Sequence, residues 1–200
     1  MASISGLNGA AMASPVCGVL LAAGAARRFG GDKLLAELKN GEQLGLVSAQ
    51  NLLPHVDRML VVIRPGDTEI EVLYRRHGFA TTVAVNADQG MGRSLAHGIA
   101  VSGDCAGWIV ALADMPFIAA DTYRCLREAL DEGAGIAAPS YETMRGNPVA
   151  FSARYRKALV ALEGDTGARE LVRSEAVTLI DVNDPGILRD IDVPSDLETG

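Results

Sequence analysis

An apolar run that leads directly into a loop of small residues constrains the fold of this chain more than any other feature. The apolar residues 19–21 are followed by the small residues 22–24 and then by the cations Arg27, Arg28 and Lys33. Small residues leave backbone N–H groups accessible, and nearby cations can neutralise phosphate oxygens. A buried strand that ends in such a loop is where an open α/β sheet binds its ligand. The segment therefore fits an anion-binding loop, and it also fits a plain strand, turn and solvated basic helix start.

The rest of the chain alternates short apolar runs with amphipathic stretches, which predicts a parallel sheet covered by helices on both faces. The predicted strands are 16–22, 58–64, 80–85, 107–113, 135–139 and 177–182. The predicted helices are 44–54, 67–77, 92–102, 120–132, 153–162 and 166–174. We therefore expect a three-layer α/β/α sandwich with a Rossmann-like, mostly parallel sheet. Residues 16–200 are predicted to form one domain, preceded by a disordered leader over 1–15 that is rich in Ala, Ser and Gly.

Composition excludes several classes of protein. Acidic residues outnumber basic ones by 25 to 18, a net charge of −7, which argues against a general nucleic-acid or anionic-membrane surface. No apolar stretch approaches the ~18 residues of a membrane span, and no cation precedes the apolar run at the N-terminus as in a signal peptide. Cys17, Cys105 and Cys125 are too few and too scattered for a disulfide scaffold or a CxxC metal site. Buried thiols at Cys17 and Cys105 and a cytoplasmic location are the resulting expectations.

Asp114, in the segment ALADMP, is the first candidate metal ligand. It stands where a hydrophobic strand ends, and Pro116 turns the chain away from the sheet. A carboxylate at that edge can hold Mg²⁺ against phosphate oxygens, since Mg²⁺ takes one or two carboxylates together with phosphates and water. The segment alone fits a turn or helix-cap aspartate equally well.

Two further segments carry polar groups suited to the same ligand. In RDIDVPSDL, Asp190 and Asp192 alternate with apolar residues, so both point to one side if the segment is extended, and Asp196 caps or begins a helix. In NADQGMGRSL, Gly90 and Gly92 leave peptide groups accessible to a base or a phosphate. Residue 94, a serine, can cap the helix that begins there. An ordinary glycine-rich turn and a simple turn aspartate are the alternative interpretations of these two segments.

Taken together, these segments resemble a known enzyme family. Four segments follow one another in the order found in the molybdenum cofactor nucleotidyltransferases. They are LAAGxxxRxGxxK at 21–33, NADQGMGRSL at 86–95, ALADMP at 111–116 and RDIDVPSDL at 189–197. The chain is similar to the MobA-like NTP transferase branch, which has the nucleotide-diphospho-sugar transferase fold, and the resemblance covers about 16–198. One departure is Gly-Glu-Gln-Leu at 41–44, where these enzymes commonly have Gly-Lys-Pro-Leu, so that one cation is missing.

The resemblance implies a reaction and a set of site residues. A substrate phosphate would attack the α-phosphorus of a nucleoside triphosphate and release pyrophosphate, with Arg28, Lys33 and Asp114 in catalytic roles and Mg²⁺ as cofactor. Asp192, with Asp190 as the other candidate, would complete the metal site. The residues implied in nucleotide binding are Leu21, Ala22, Ala23, Gly24, Arg28, Lys33, Gly90, Met91 and Ser94.

The resemblance leaves the donor and the acceptor open. Ala-Ala-Gly at 22–24 is closer to the cytidylyl branch of the family than to the guanylyl branch, which favours CTP over GTP. The implied acceptor is molybdopterin or another phosphorylated molecule, held near Arg145, Gly146, Asn147 and Pro148, which fit a hairpin turn equally well. A sugar-phosphate nucleotidylyltransferase and a non-catalytic molybdenum cofactor carrier are the alternatives. The family also implies a transient molybdoenzyme partner of the xanthine dehydrogenase type.

Overall fold

The computed structural model describes residues 14–24, 29 and 32–199, so the predicted leader lies almost wholly outside it. Within these residues no helix has the length and apolar character needed to cross a membrane. The strands are β1 (Val16–Leu21), β2 (Arg58–Ile63), β3 (Ala80–Val83), β4 (Gly107–Leu112), β5 (Ile136–Tyr141), β6 (Met144–Arg145), β7 (Val149–Ser152) and β8 (Thr178–Asp181). The α-helices are α1 (Leu44–Leu52), α2 (Thr68–Arg76), α3 (Met91–Val101), α4 (Ala120–Asp131), α5 (Arg156–Val160) and α6 (Arg169–Ser174).

The strands form one mixed sheet in the order β3-β2-β1-β4-β7-β5-β6, and β8 pairs with β5. Strands β3, β2, β1 and β4 are parallel to one another, with Val19 opposite both Leu60 of β2 and Val110 of β4. Every residue of β1 is buried, as expected for a strand with helices on both faces. All six predicted strands are present, and each boundary lies within two residues of its prediction.

Alternation along β1 divides the core between the two faces of the sheet. Leu20 packs with residues of α1, α2 and α4, whereas Val19 packs with residues of α3, α5 and α6. The result is the expected three-layer α/β/α sandwich. The predicted helix over 153–162 is instead a 3-10 turn, Ala153–Tyr155, followed by the short α5.

Strand β7 was not predicted, and it makes the sheet mixed. It pairs antiparallel with both β4 and β5, so that Phe151 lies opposite Trp108 on one side and Ile136 on the other. Four residues that follow directly on Pro148 are too short for a periodic signal. Because β7 separates β4 from β5, it displaces β5 and β8 by one strand from the parallel half of the sheet.

The expectation of two buried free thiols was wrong. Cys17 of β1 and Cys105, which lies two residues before β4, form a disulfide, and their Cα atoms are 6.2 Å apart. The two residues are 88 positions apart in the sequence and meet only because β1 and β4 are adjacent. Cys125 is a free cysteine. The reducing compartment inferred from buried thiols therefore loses that support.

Candidate active site

A cavity of about 780 Å³ lies at the carboxyl ends of β1 and β4. Parallel strands end at the same edge of a sheet, so the residues that follow them are brought together there. The predicted site residues that line this cavity are Leu21, Ala22, Ala23, Gly24, Lys33, Gly90, Met91, Ser94 and Asp114. Arg27 and Arg28 lie outside the described residues, and so the structure places neither of them.

The small residues after β1 form one wall of the cavity. The backbone N–H of Ala22 donates to Val62 of β2 at 2.8 Å, which continues the parallel pairing by one residue beyond the strand. A Cβ atom added at Gly24 would meet no described atom within 4 Å. The main chain is therefore open to a ligand at this point, as the small-residue pattern predicted.

Asp114 follows β4 and is anchored by α1. The Ser48 hydroxyl donates to the Ala113 carbonyl at 2.8 Å, and the Asn51 amide donates to the Pro116 carbonyl at 3.0 Å. Oδ2 of Asp114 accepts a hydrogen bond from Lys33, whereas its buried Oδ1 has no partner among the described residues. Burying an acceptor without a partner is costly, so Oδ1 marks a place where a ligand would fit.

The C-terminal segment brings two more carboxylates to Asp114. The Ile191 N–H donates to the Asp114 carbonyl at 2.9 Å, which holds the segment against the loop after β4. Asp114, Asp190 and Asp192 each offer an oxygen, and these atoms all lie within 4.8 Å of one another. Hard oxygen ligands in this arrangement, together with the unpartnered Oδ1, fit a divalent cation such as Mg²⁺.

Asp196 orients this segment. Its Oδ2 accepts the backbone N–H of Asp192 at 2.8 Å and that of Val193 at 2.9 Å. These two bonds lower the pKa of the Asp196 carboxyl. A helical turn is present here, but it begins at Pro194, so Asp196 lies inside the 3-10 turn Pro194–Thr199 and neither caps nor begins it.

Lys33 is almost fully buried, with 7% of its surface exposed, and its ammonium faces the carboxylates. It donates to Asp114 Oδ2 at 2.8 Å, to the Ile191 carbonyl at 2.8 Å and to Asp192 Oδ1 at 3.3 Å. Burial by itself lowers the pKa of Lys33, but the hydrogen bonds and charges of the two carboxylates outweigh it and raise the pKa. The sequence indicated the cation but not its carboxylate partners.

The start of α3 also lines the cavity. Gly90 precedes the helix with φ +117°, a conformation that L side chains rarely adopt. The Gly92 N–H donates to the Gly164 carbonyl at 2.8 Å, so the loop around 164 packs directly on the two glycines. Ser94 lies inside the first turn of α3 and is not its N-cap, because the helix begins at Met91.

Three charged residues of the cavity were missed by the sequence interpretation: Arg64, Asp88 and Asp165. Arg64 follows β2 and makes a two-pronged ion pair with Asp67, at 2.9 and 3.0 Å. Asp165 belongs to the loop that packs on Gly90. The position of Arg64 at a strand end was a usable signal, whereas nothing in the sequence indicates that the loop at 163–167 reaches the cavity.

The predicted acceptor residues lie away from the cavity wall. Strands β5 and β6 turn at Glu142 and Thr143, and Arg145 is exposed at the end of β6. Gly146 and Asn147 pack on the 3-10 turn Pro185–Leu188, with the Asn147 N–H donating to the Ile187 carbonyl at 3.0 Å. The Asn147–Pro148 peptide bond is cis. These four residues are thus next to the segment that carries Asp190 and Asp192, and their role in acceptor binding stays a prediction.

Residues 18–179 match the MobA-like NTP transferase domain family. The chain is 33% identical over 201 residues to purine catabolism protein PucB of Bacillus subtilis, covering 94% of this chain and 97% of PucB. It is 31% identical over 190 residues to nicotine blue oxidoreductase of Paenarthrobacter nicotinovorans, covering 88% and 92% of the two chains. The crystal structure of Rv0371c from Mycobacterium tuberculosis in complex with manganese superimposes with a TM-score of 0.77 at 23% identity, covering 93% and 97%. The likeness to Rv0371c shows the fold, and the carboxylate cluster of this chain is a candidate site for a divalent cation.

Proposed function

Because this chain belongs to the MobA-like NTP transferase family and is a nucleotidyltransferase, we propose that it transfers CMP from CTP to the terminal phosphate of molybdopterin and releases pyrophosphate. A nucleoside triphosphate substrate follows from the family itself. CTP as the donor and molybdopterin as the acceptor are the parts that belong to the proposal.

One observation carries the proposal: the small-residue loop, Lys33, Asp114 and the glycine start of α3 all line one cavity. A triphosphate needs accessible backbone N–H groups and a cation on one side, and a base needs polar backbone groups on the other. The loop at 22–24 and the start of α3 supply these two surfaces. Both surfaces line the same cavity, and Asp114 lines it as well.

In this reaction an oxygen of the acceptor phosphate forms a bond to the α-phosphorus, and the bond from the α-phosphorus to the oxygen of pyrophosphate breaks. Positioning and charge neutralisation supply most of the catalysis of such a transfer. Lys33 and Arg28 would bind the triphosphate oxygens, and the N–H groups of 22–24 would orient them. No general base is required, because a phosphate monoester is already anionic at neutral pH.

Asp114, Asp192 and Asp190 are proposed to hold Mg²⁺. When bound, the ion supplies a positive charge that polarises phosphate oxygens. Asp114 would use the buried Oδ1, which lacks a protein partner among the described residues. Asp196 would keep the Asp192 carboxylate in place through its two backbone hydrogen bonds.

The preference for CTP rests on Ala22-Ala23-Gly24, which is similar to the cytidylyl branch. GTP in place of CTP, and a sugar phosphate in place of molybdopterin, are the alternatives within the same chemistry. A cofactor carrier that delivers to a molybdoenzyme of the xanthine dehydrogenase type is the alternative without catalysis. The buried Lys33, paired with carboxylates of the Asp114–Asp190–Asp192 cluster, favours an enzyme, because a carrier has no need of this group.

The donor is tested by thermal unfolding of the purified protein with CTP, GTP, ATP or UTP, each with and without Mg²⁺. A ligand that binds only the folded state at a hundredfold excess over Kd stabilises it by about 2.7 kcal/mol, which is readily measured. We expect a Mg²⁺-dependent rise with CTP that Asp114→Ala abolishes and that Asp121→Ala, on the surface of α4, preserves. A rise with GTP alone would replace the donor, and no rise with any nucleotide would contradict the enzyme proposal.

The acceptor is tested by pyrophosphate release. With the preferred nucleotide, molybdopterin and a panel of sugar 1-phosphates are compared at equal concentration. Release with molybdopterin only is the expected result, and release with a sugar phosphate only would move the proposal to sugar-nucleotide synthesis. The variant Arg145→Ala tests the acceptor pocket: a higher KM for the acceptor with an unchanged KM for CTP is expected.

A further inference from the structure

The ammonium of Lys33 takes up a position in which a metal ion would compete with it. Among the described residues it donates to an oxygen of Asp114, to an oxygen of Asp192 and to the carbonyl of Ile191, which lies between the two acidic residues of the C-terminal segment. Asp114 and Asp192 are also two of the three members of the carboxylate cluster. One side chain therefore binds two of the three carboxylate groups that a divalent cation would use.

The cluster and the ammonium are linked by their charges. Three carboxylates within 4.8 Å of one another repel, and Lys33 supplies one positive charge against them. A divalent cation bound to the same carboxylate groups would lie close to a buried ammonium, where water screens their repulsion poorly. The repulsion between the two cations therefore weakens the binding of each to these carboxylates.

The side chain of Lys33 can also take up a second position, in the cavity. The residue begins the 3-10 turn Lys33–Leu35 and lines the cavity beside the loop at 22–24. Its flexible four-carbon stem lets the ammonium swing while the backbone stays in place. Phosphate oxygens of a bound nucleotide would offer it acceptors of the same chemistry as the carboxylates that it leaves.

We propose that Lys33 is the resident counter-ion of the Asp114–Asp190–Asp192 cluster and that a divalent cation displaces its ammonium, which then becomes available to the triphosphate. The last step rests on the proposed function, whereas the displacement itself does not require a nucleotide. Metal binding consequently precedes the engagement of Lys33 with the nucleotide. Before the metal arrives, the catalytic cation is held away from the substrate by the metal ligands themselves.

Lysine acylation of the wild-type protein, read by mass spectrometry, tests the displacement directly. The other two lysines, Lys39 and Lys157, are exposed and serve as internal standards for the reagent. Without metal, Lys33 is expected to be protected. With saturating Mn²⁺, whose binding is followed by its EPR signal, labelling of Lys33 is expected to rise about tenfold relative to the standards, as a shift of 1.4 kcal/mol in its exposure equilibrium would give. Continued protection of Lys33 in the Mn²⁺-bound protein would overturn the proposal.

Manganese affinity of variants gives an independent test. Lys33→Met removes the competing cation, so its Kd for Mn²⁺ is expected to be about tenfold tighter than wild type. Lys33→Arg keeps the charge and should bind no more tightly than wild type. Arg64→Gln, which removes a cavity cation already paired with Asp67, should leave the Kd within about twofold. An unchanged or weaker Kd in a folded Lys33→Met protein would contradict displacement and would make Lys33 an organiser of the metal site.

A second arm separates this inference from the proposed function. Adding CTP to the Mn²⁺-bound protein should protect Lys33 again, because the triphosphate then holds the ammonium. Protection restored by CTP supports both steps, and labelling that persists while CTP stabilises the protein would overturn the second step. If Mn²⁺ frees Lys33 but no nucleotide stabilises the protein, the displacement stands and the proposed transfer reaction fails.

Discussion

The two halves of the sheet contribute to the site in different ways. In the parallel half, β3-β2-β1-β4, the cavity residues follow directly from strand ends: residues 22–24 after β1, Arg64 after β2 and Asp114 after β4. In the mixed half, β7-β5-β6 with β8, the site residues Asp190 and Asp192 come from an irregular segment that follows β8. The proposed nucleotide side of the site, at the ends of β1, β2 and β4, is thus fixed by secondary structure. The proposed metal side, formed with Asp190 and Asp192, depends on tertiary contacts.

The contacts that hold the metal side are few and specific. Asp184, which is buried, accepts hydrogen bonds from the Ala119 N–H at 2.8 Å, the Thr122 hydroxyl at 2.6 Å and the Gly186 N–H at 2.9 Å. Arg189 stacks on Phe117 with its guanidinium carbon 4.1 Å from the ring centre. These contacts join the segment after β8 to the start of α4, so the metal side should respond to changes far from the cavity.

The largest effect is expected at Asp114, where the two halves meet. Asp114→Asn keeps the shape of the side chain but removes the charge that faces Lys33 and the proposed ion. We expect kcat/KM for pyrophosphate release to fall by about 10³, since metal charge stabilisation is worth several kcal/mol. The measurement is a coupled pyrophosphate assay, with circular dichroism to verify folding. Asp121→Asn is the matched control, and a loss smaller than about tenfold would remove Asp114 from the catalytic machinery.

The disulfide should stabilise the parallel half without affecting the site. Replacing Cys17 and Cys105 together by Ala opens a loop of 88 residues in the unfolded chain, and we expect the free energy of unfolding to fall by about 3 kcal/mol. Both cysteines lie at the amino ends of β1 and β4, opposite to the cavity, so the affinity for nucleotide should not change. Urea unfolding gives the first quantity and thermal shift with nucleotide the second.

Reduction of the wild-type protein is the companion experiment to that prediction. Dithiothreitol should lower the urea midpoint of the wild type and leave that of the double variant unchanged. Cys125→Ala, which removes the free cysteine, controls for loss of a thiol elsewhere. Equal midpoints for oxidised and reduced wild type would show that the disulfide contributes nothing to stability.

Asp184→Asn tests whether the metal side depends on remote hydrogen bonds. The two oxygens of the carboxylate accept hydrogen bonds from three donors, whereas an amide has only one accepting oxygen. We therefore expect the free energy of unfolding to fall by about 2 kcal/mol. The Kd for Mn²⁺ should weaken about tenfold, as is usual for residues that orient metal ligands. Nucleotide binding without metal should stay as in the wild type.

The control for Asp184 is Ser102→Ala, which removes the hydrogen bond from the Trp108 indole at 2.8 Å in the parallel half. It should cost about 1 kcal/mol of stability and leave the affinity for Mn²⁺ unchanged. If both variants weakened Mn²⁺ binding equally, the metal side would be responding to global stability and the distinction between the two halves would be lost.

The parallel half could be predicted from the sequence because each of its strands is marked by a continuous segment of the chain. Each of its strands is a short run with a hydrophobic pattern of its own, and its functional residues stand at the end of a run, as Asp114 does after residues 107–112. The resemblance to the family was carried by the same kind of segment. Helices α1 to α4 were found for the same reason, from their apolar periodicity and length.

What the sequence did not predict depends on contacts between distant segments. Strand β7, the Cys17–Cys105 pairing and the approach of Asp165 to Gly90 each require two segments to meet across the fold. The orientation of Lys33 is the same kind of case: its charge was visible, but its carboxylate partners lie 81 and 159 positions away. Local sequence patterns predict where strands and loops occur along the chain, but they do not predict which loops contact one another in the fold.

The smallest effect is expected at the edge of the parallel half, where His97 of α3 hydrogen-bonds to Thr82 of β3 at 2.7 Å. Burial lowers the pKa of His97 below the ordinary value of 6.5. The unfolded chain therefore binds the proton more readily, and the contribution of His97 to stability is complete above pH 6.5 and is lost as the pH falls toward the lowered pKa. His97→Gln should flatten the pH dependence of the urea midpoint below pH 6.5.

His55 needs a variant of its own, because burial and the nearby charge of Arg124 lower its pKa in the same direction. Both histidines contribute to the wild-type slope below pH 6.5, so His97→Gln and His55→Gln should each remove a part of it. An unchanged slope in His97→Gln would mean that the edge of the parallel half is equally stable without the hydrogen bond between His97 and Thr82. The contrast with the metal side, which depends on single buried contacts such as those of Asp184, would then be sharper still.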